Sequence, residues 1–328
     1  MTGAADAAAP SGEGADPRTH ALPRFEGRAS RRHLRHGMRP LRLRAAFEGL
    51  RRRDLGGLRT MVLFAGWPRS GHSLVGALLG AHPEARIAHE LDAVGLFAKG
   101  MPACRLPPLM AWSAEGFAAA GHWWNGYRYA VEDAPAPRPP VAVGDKKGDW
   151  ASRWCAADPG LPARLAAATP LRLRWILVTR HPLDNVATMS LREGRLYDRL
   201  RIDPPPEGFS AALAAAQAEG RIARAASDAM IDDYRALAAA TAGIAAQVDP
   251  EDWLHLAYED LVRDPRAGLG RLAAFAGLPA DPAWTAAAAG LLRGGGRSRE
   301  RVEWRPEQRA LLDATCRAHG FLRRYADG

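Results

Sequence analysis

TMVLFAGWPRSGHSLVGALL, residues Thr60 to Leu79, reads as a strand, a tight loop and a helix in immediate succession. Thr60–Gly66 is a short apolar run closed by glycine, the pattern of a buried parallel strand. HSLVGALLGAH follows as a helix, with Leu74, Ala77, Leu78 and Ala81 expected on one face. Between them, Gly66, Gly71 and Ser73 have the spacing of a Walker A phosphate loop. The lysine of that motif is missing. His72 stands in its place, and the loop's cation comes three residues earlier, at Arg69. The backbone N–H groups of Ser70, Gly71, His72 and Ser73 then open the helix, where free N–H groups and the dipole favour an anion. Gly71 permits close approach and positive φ.

Outward from this loop the pattern alternates. RIA (86–88), VAVGDK (141–146), LRWILVTR (173–180) and Trp253–Ala257 read as further strands. Pro182 opens a helix running to about Glu193, Phe209 to about Val248 gives one long helix or two, and the tail from Leu269 to Tyr325 is helical around a glycine-rich break, RGGGRSRERVEW. Residues 100–135 and 194–208 read as irregular. Strands separated by helices predict a three-layer α/β/α fold with a mainly parallel central sheet, and ligands at the carboxyl ends of its strands.

The chain has 328 residues, 47% of them hydrophobic, and a net charge of +9. Twelve arginines and six acids fall in residues 1–57, so 12 − 6 = +6 of the charge lies there. That division predicts a basic, largely disordered leader over 1–57, with a short helix after Pro40, and one domain over 58–328. A solvated leader is the reading adopted, without a nucleic-acid partner. No run of about 18 apolar residues suggests a membrane span, and the N-terminus lacks a signal-peptide pattern. Three scattered cysteines imply no disulfide framework and no metal site, which fits a cytoplasmic protein. Lysine occurs only at Lys99, Lys146 and Lys147, so each of those positions invites inspection.

A nucleotide kinase or ATPase needs the loop lysine and an Asp for magnesium. The nearest such Asp is Asp145, and two lysines follow it at once. The loop is better suited to a single phosphate with Arg69 beside whatever it carries.

WPRSGHSLVGALLGAHPEARIAHE resembles the 5′-phosphosulfate loop of sulfotransferases that use 3′-phosphoadenylyl sulfate (PAPS), in the Pro-Arg-Ser-Gly form of the tyrosylprotein and several bacterial branches. The resemblance implies the P-loop-like sulfotransferase fold, no metal, and a 5′-phosphate held by Pro68, Arg69, Ser70, Gly71, His72 and Ser73. It puts the catalytic base at Glu90, with His89 as the alternative on grounds of its ordinary pKa. VTRHPLDNVATMSLRE matches the family's 3′-phosphate motif, which implies roles for Arg180, for Thr188 (with Ser190 nearby as the alternative), and for Arg192. Thr188 and Arg192 are four apart and share a helix face. AYEDLVRDP implies Tyr258 at the adenosine end, and GDKKG implies Lys146, or Lys147, at the sulfuryl group. The glycine-rich break offers Arg297 and Ser298 as a phosphate-covering loop. The implied acceptor is a small molecule or a glycan, with the tryptophans between 112 and 154 as candidate pocket walls. The competing readings are a P-loop kinase or ATPase, and an inactive anion-binding relative working through its basic leader.

Overall fold

A computed structural model describes residues 38–292, 294 and 297–327. Seven strands occur among them: β1 (Thr60–Ala65), β2 (Ala85–Ala88), β3 (Trp123–Trp124), β4 (Tyr127–Arg128), β5 (Ala142–Asp145), β6 (Arg172–Thr179) and β7 (Trp253–Ala257). Five form one sheet in the order β2-β5-β1-β6-β7, and every pairing in it is parallel. β3 and β4 make a separate hairpin across Asn125 and Gly126, both at positive φ, as a tight two-residue turn requires.

β1 is buried along its whole length, which explains its unbroken apolar run. Met61, Leu63 and Ala65 pack with the helices Arg39–Arg51, Leu106–Ala119 and Gly148–Ala157. Val62 and Phe64 pack on the other side with His72–Gly80, Pro265–Ala276 and Pro282–Leu291. Helices thus cover both faces, and the three-layer α/β/α fold expected from the alternation is what forms. The five strand ends lie along one edge. Read across the sheet, they deliver Glu90, Lys146, the Gly66–Ser73 loop, Arg180 and Tyr258.

Three expectations need correction. The span read as irregular contains the helix Leu106–Ala119, because Pro107 and Pro108 sit in its first turn, where no N–H is needed. The loop expected over 194–208 holds a short helix, Leu196–Leu200. On His72–Gly80 the buried apolar residues are Val75, Leu78 and Leu79, while Leu74, Ala77 and Ala81 are only partly covered. Gly76 lies on the buried side, where an added Cβ would come within 2.8 Å of the Lys146 Cβ. A glycine in that place leaves no mark in an apolar pattern.

The short basic helix after Pro40 spans Arg39–Arg51, with Pro in its first turn. Met38, Leu41 and Ala45 are buried in the same cluster as β1, so the packed body reaches back to residue 38 rather than starting at 58. The rest of the leader expected to be largely disordered, residues 1–37, lies outside the described residues.

Candidate functional site

The loop after β1 is wound tightly and held from outside. Gly66 and Gly71 take φ of 114° and 106°, and Arg69 takes 67° without being glycine. An added Cβ on Gly71 would stand 2.9 Å from the Tyr258 ring, so tyrosine and loop touch directly. Gly66 donates its N–H to Ser152 Oγ at 2.9 Å, and Asn185 Nδ2 donates to the Pro68 carbonyl at 2.8 Å. Trp67 stacks on Tyr234 at 4.8 Å and donates its indole N–H to the Tyr234 carbonyl. The Ser70 hydroxyl and His72 Nδ1 are buried with no hydrogen-bond partner in the protein. Burial, then the Lys146 charge, pushes the His72 imidazole down to about 3, so it is neutral. Buried polar atoms left open beside a row of helix N-terminal N–H groups fit an anionic ligand.

At the ends of β2 and β5 stands a lysine–carboxylate cluster. Lys146 Nζ donates to Glu90 Oε1 and, at 2.7 Å, to Ser73 Oγ; Lys147 Nζ donates to Glu90 Oε2. Both lysines of the pair are therefore engaged, and Glu90 bridges them. Burial alone would raise the Glu90 carboxyl, but the two ammonium groups outweigh it and hold the group well below the usual carboxylate range. Burial lowers Lys146, while Asp149 and Glu90 outweigh burial to raise Lys147. Glu90 also has a left-handed φ of 68°. Two non-glycine residues in that region, Arg69 and Glu90, are thus residues on which the sequence reading places the chemistry. Such strain costs of order 1–3 kcal/mol each.

His89 is buried, stacked on Phe117 at 4.0 Å with Trp124 edge-on at 5.2 Å, and its Nε2 has no partner. Burial first, and the Lys146 charge second, holds it well below its ordinary value. Asp145 is tied to the backbone of the turn after β2. Its carboxylate accepts from the N–H groups of Leu91 at 3.0 Å and Ala93 at 2.7 Å, fixing the turn that carries Glu90.

A second basic cluster follows β6. Arg180 reaches Thr188 Oγ1 at 3.5 Å and Ser298 Oγ at 3.4 Å, and its guanidinium lies 5.8 Å from the Tyr258 ring centre. Ser190 is committed elsewhere: its hydroxyl donates to the Val186 carbonyl and accepts from Ser227 N–H. Of the two residues expected from the glycine-rich break, Ser298 lies at Arg180 and Arg297 does not. The Arg297 side chain is 76% exposed and pairs with Glu300 at 3.4 Å. Arg299 turns inward instead and grips Asp184 at 2.9 Å. Arg192 does not join Arg180 either. It shares Asp198 with Arg69, at 2.9 and 3.0 Å respectively.

The sequence reading missed Asp198, Asn185 and Tyr129. Asp198 sits in the stretch read as loop and aims two arginines. Asn185 anchors Pro68, and Tyr129 lies beside Ser73. A pattern of polar residues buried on Pro182–Arg192, where Asp184, Asn185, Thr188 and Ser190 all face inward, was the available signal. Among the described residues no helix is long and apolar enough to cross a membrane, and no three His, Cys, Asp or Glu side chains stand together as a metal site.

No curated protein matches the chain significantly. Solved structures to which it is similar include a sulfotransferase from Alicyclobacillus acidocaldarius (18% identity, 78% of this chain and 90% of that one, TM-score 0.38). Others are the sulfotransferase domain of the Synechococcus olefin synthase (17%, 75% and 81%, 0.37) and a sulfotransferase from Mycobacterium avium (12%, 88% and 81%, 0.44). Residues 164–282 match the model of the sulfotransferase family. That match includes Arg180, Thr188, Arg192 and Tyr258 and begins well after the Gly66–Ser73 loop, so the similarity to the sulfotransferase family model is confined to this stretch.

Proposed function

We propose that the chain is an enzyme that moves the sulfuryl group of PAPS to a hydroxyl or amine acceptor, leaving 3′,5′-ADP. One observation carries the reading: two separate basic clusters, at the ends of β1 and β6, are joined by Tyr258, which touches both Gly71 and Arg180. A ligand with phosphates at two ends of one nucleoside is what such a pair of clusters would hold. The loop N–H groups and the Ser70 and Ser73 hydroxyls hold the 5′-phosphate, and Arg180, Thr188 and Ser298 hold the 3′-phosphate. Tyr258 lies between them, against the nucleoside.

In the transfer, an acceptor oxygen bonds to sulfur as the bond from sulfur to the bridging phosphate oxygen breaks. Arg69 and the loop N–H groups take up the charge left on that oxygen. Glu90 takes the acceptor's proton. Paired with two ammonium groups it is a poor base, because its carboxylate form is over-stabilised. Drawing Lys146 onto donor oxygens frees Glu90 and raises its basicity toward the working range. Donor binding would thus arm the base, which restrains proton abstraction in its absence.

Asp145, tied to backbone N–H groups, argues against the kinase reading. A thermal-shift comparison tests the choice. Stabilisation by 3′,5′-ADP in metal-free buffer is expected to exceed that by ATP with magnesium, and the opposite order would sink the proposal.

A further inference from the structure

A cavity of about 320 Å³ opens beside the lysine–carboxylate cluster, between the helix His72–Gly80, β2, the helix Leu106–Ala119 and residues 129–137. Its walls are largely hydrocarbon, from Ala77, Ala114, Phe117, Val131 and Pro135 among others. Its inner end meets Lys146 and His89. The charged groups on its rim are occupied: Arg86 donates to the carbonyls of Pro83, Ala85 and Arg138, and Glu115 pairs with Arg52. His89, buried and with no partner for its Nε2, belongs to the lining together with Lys146, and His82, His122 and Tyr129 are the lining's other polar side chains.

We propose that this cavity receives the acceptor, and that the acceptor is a compact uncharged alcohol or phenol with a hydrocarbon body, its hydroxyl meeting His89 Nε2 beside Glu90. This rests on the sulfotransferase reading. A volume near 320 Å³ is at the small end of ligand pockets and suits one or two rings. A sugar would bring a hydroxyl on nearly every carbon to walls that offer few partners, and each hydroxyl buried without one is costly. The glycan arm of the sequence expectation is thereby disfavoured. His89 serves here as a positioning contact for the acceptor hydroxyl, which leaves Glu90 as base.

The test separates the two layers. Calorimetry with 2-naphthol, without any nucleotide, should show binding to the wild-type chain. Ala114→Trp and Val131→Trp, in two different lining segments and checked for folding by circular dichroism, should each weaken that binding by about tenfold or more. With labelled PAPS, 2-naphthol should be sulfated in preference to methyl glucoside, and His89→Phe should raise KM for 2-naphthol more than it lowers kcat. Failure of 2-naphthol to bind, indifference to both tryptophans, or preferred sulfation of the glucoside would overturn the acceptor assignment. Binding of 2-naphthol with no stabilisation by 3′,5′-ADP would instead keep the cavity as an apolar site and overturn the sulfotransfer reading beneath it.

Discussion

The two sides of β1 carry charge in different ways. Toward β5 and β2 the cations are lysines, 1% and 20% exposed, and their charge is balanced by Glu90 between them. Toward β6 the cations are arginines: Arg180 meets the Thr188 and Ser298 hydroxyls, while Arg299, 30% exposed, pairs with Asp184, and Arg192, 39% exposed, pairs with Asp198. An ammonium in a buried place changes its basicity readily and changes that of its partner, whereas a guanidinium keeps its charge and offers a flat fork for phosphate. The difference separates a side suited to moving a proton from a side suited to gripping an anion. A chain with 45 basic residues and only three lysines has put two of them on the first side.

The sharpest way to break this division is Glu90→Gln. Turnover should fall by about 10²–10⁴, the usual worth of a positioned base, while calorimetric affinity for 3′,5′-ADP stays unchanged. Equal loss of both would mean that Glu90 is only a support for the lysines. Next, Arg180→Ala should weaken 3′,5′-ADP by roughly 10²-fold, from the loss of about two charge-assisted hydrogen bonds. Binding of AMP, which lacks the 3′-phosphate, should scarcely move in that variant, and a similar loss for both ligands would refute the assignment. Gly71→Ala probes the seam between the sides. The alanine must adopt positive φ and meet the Tyr258 ring, so chemical unfolding should show a loss of about 1–3 kcal/mol.

The last test concerns the turn behind Glu90, and its effect per pH unit is small. Burial pushes the Asp92 carboxyl up from 3.8 to about 7, against the pull of Lys99 3.8 Å away. A raised acid binds more protons folded than unfolded, so stability is fully present below about 3.8 and is lost as pH rises toward about 7. Asp92→Asn, which keeps an acceptor for Gly95 N–H, should flatten the fall in melting temperature between those pH values. One proton accounts for at most about 1.4 kcal/mol per pH unit, and an unchanged slope would assign the pH dependence to other groups.

The sequence by itself determined the sheet and the loop. The runs at 60–66 and 173–180, each followed by a helix, read as strands, the first because it is apolar on both faces and the second because β-branched and aromatic residues cluster in it. The positions of Arg69, Glu90, Lys146, Arg180 and Tyr258 at strand ends followed from those runs, since a parallel sheet gathers its carboxyl ends on one edge. Tertiary structure decided the pairings. Nothing local distinguishes Thr188 from Ser190 until Ser227 claims the latter, or Arg297 from Arg299 until Asp184 claims one of them. Asp198 is 129 residues from Arg69, and Lys147 is 57 from Glu90. Such contacts depend on how long side chains meet after the layers close, and a one-dimensional pattern holds no record of that. The apolar cavity is of the same kind, because its walls come from four segments whose spacing only packing sets.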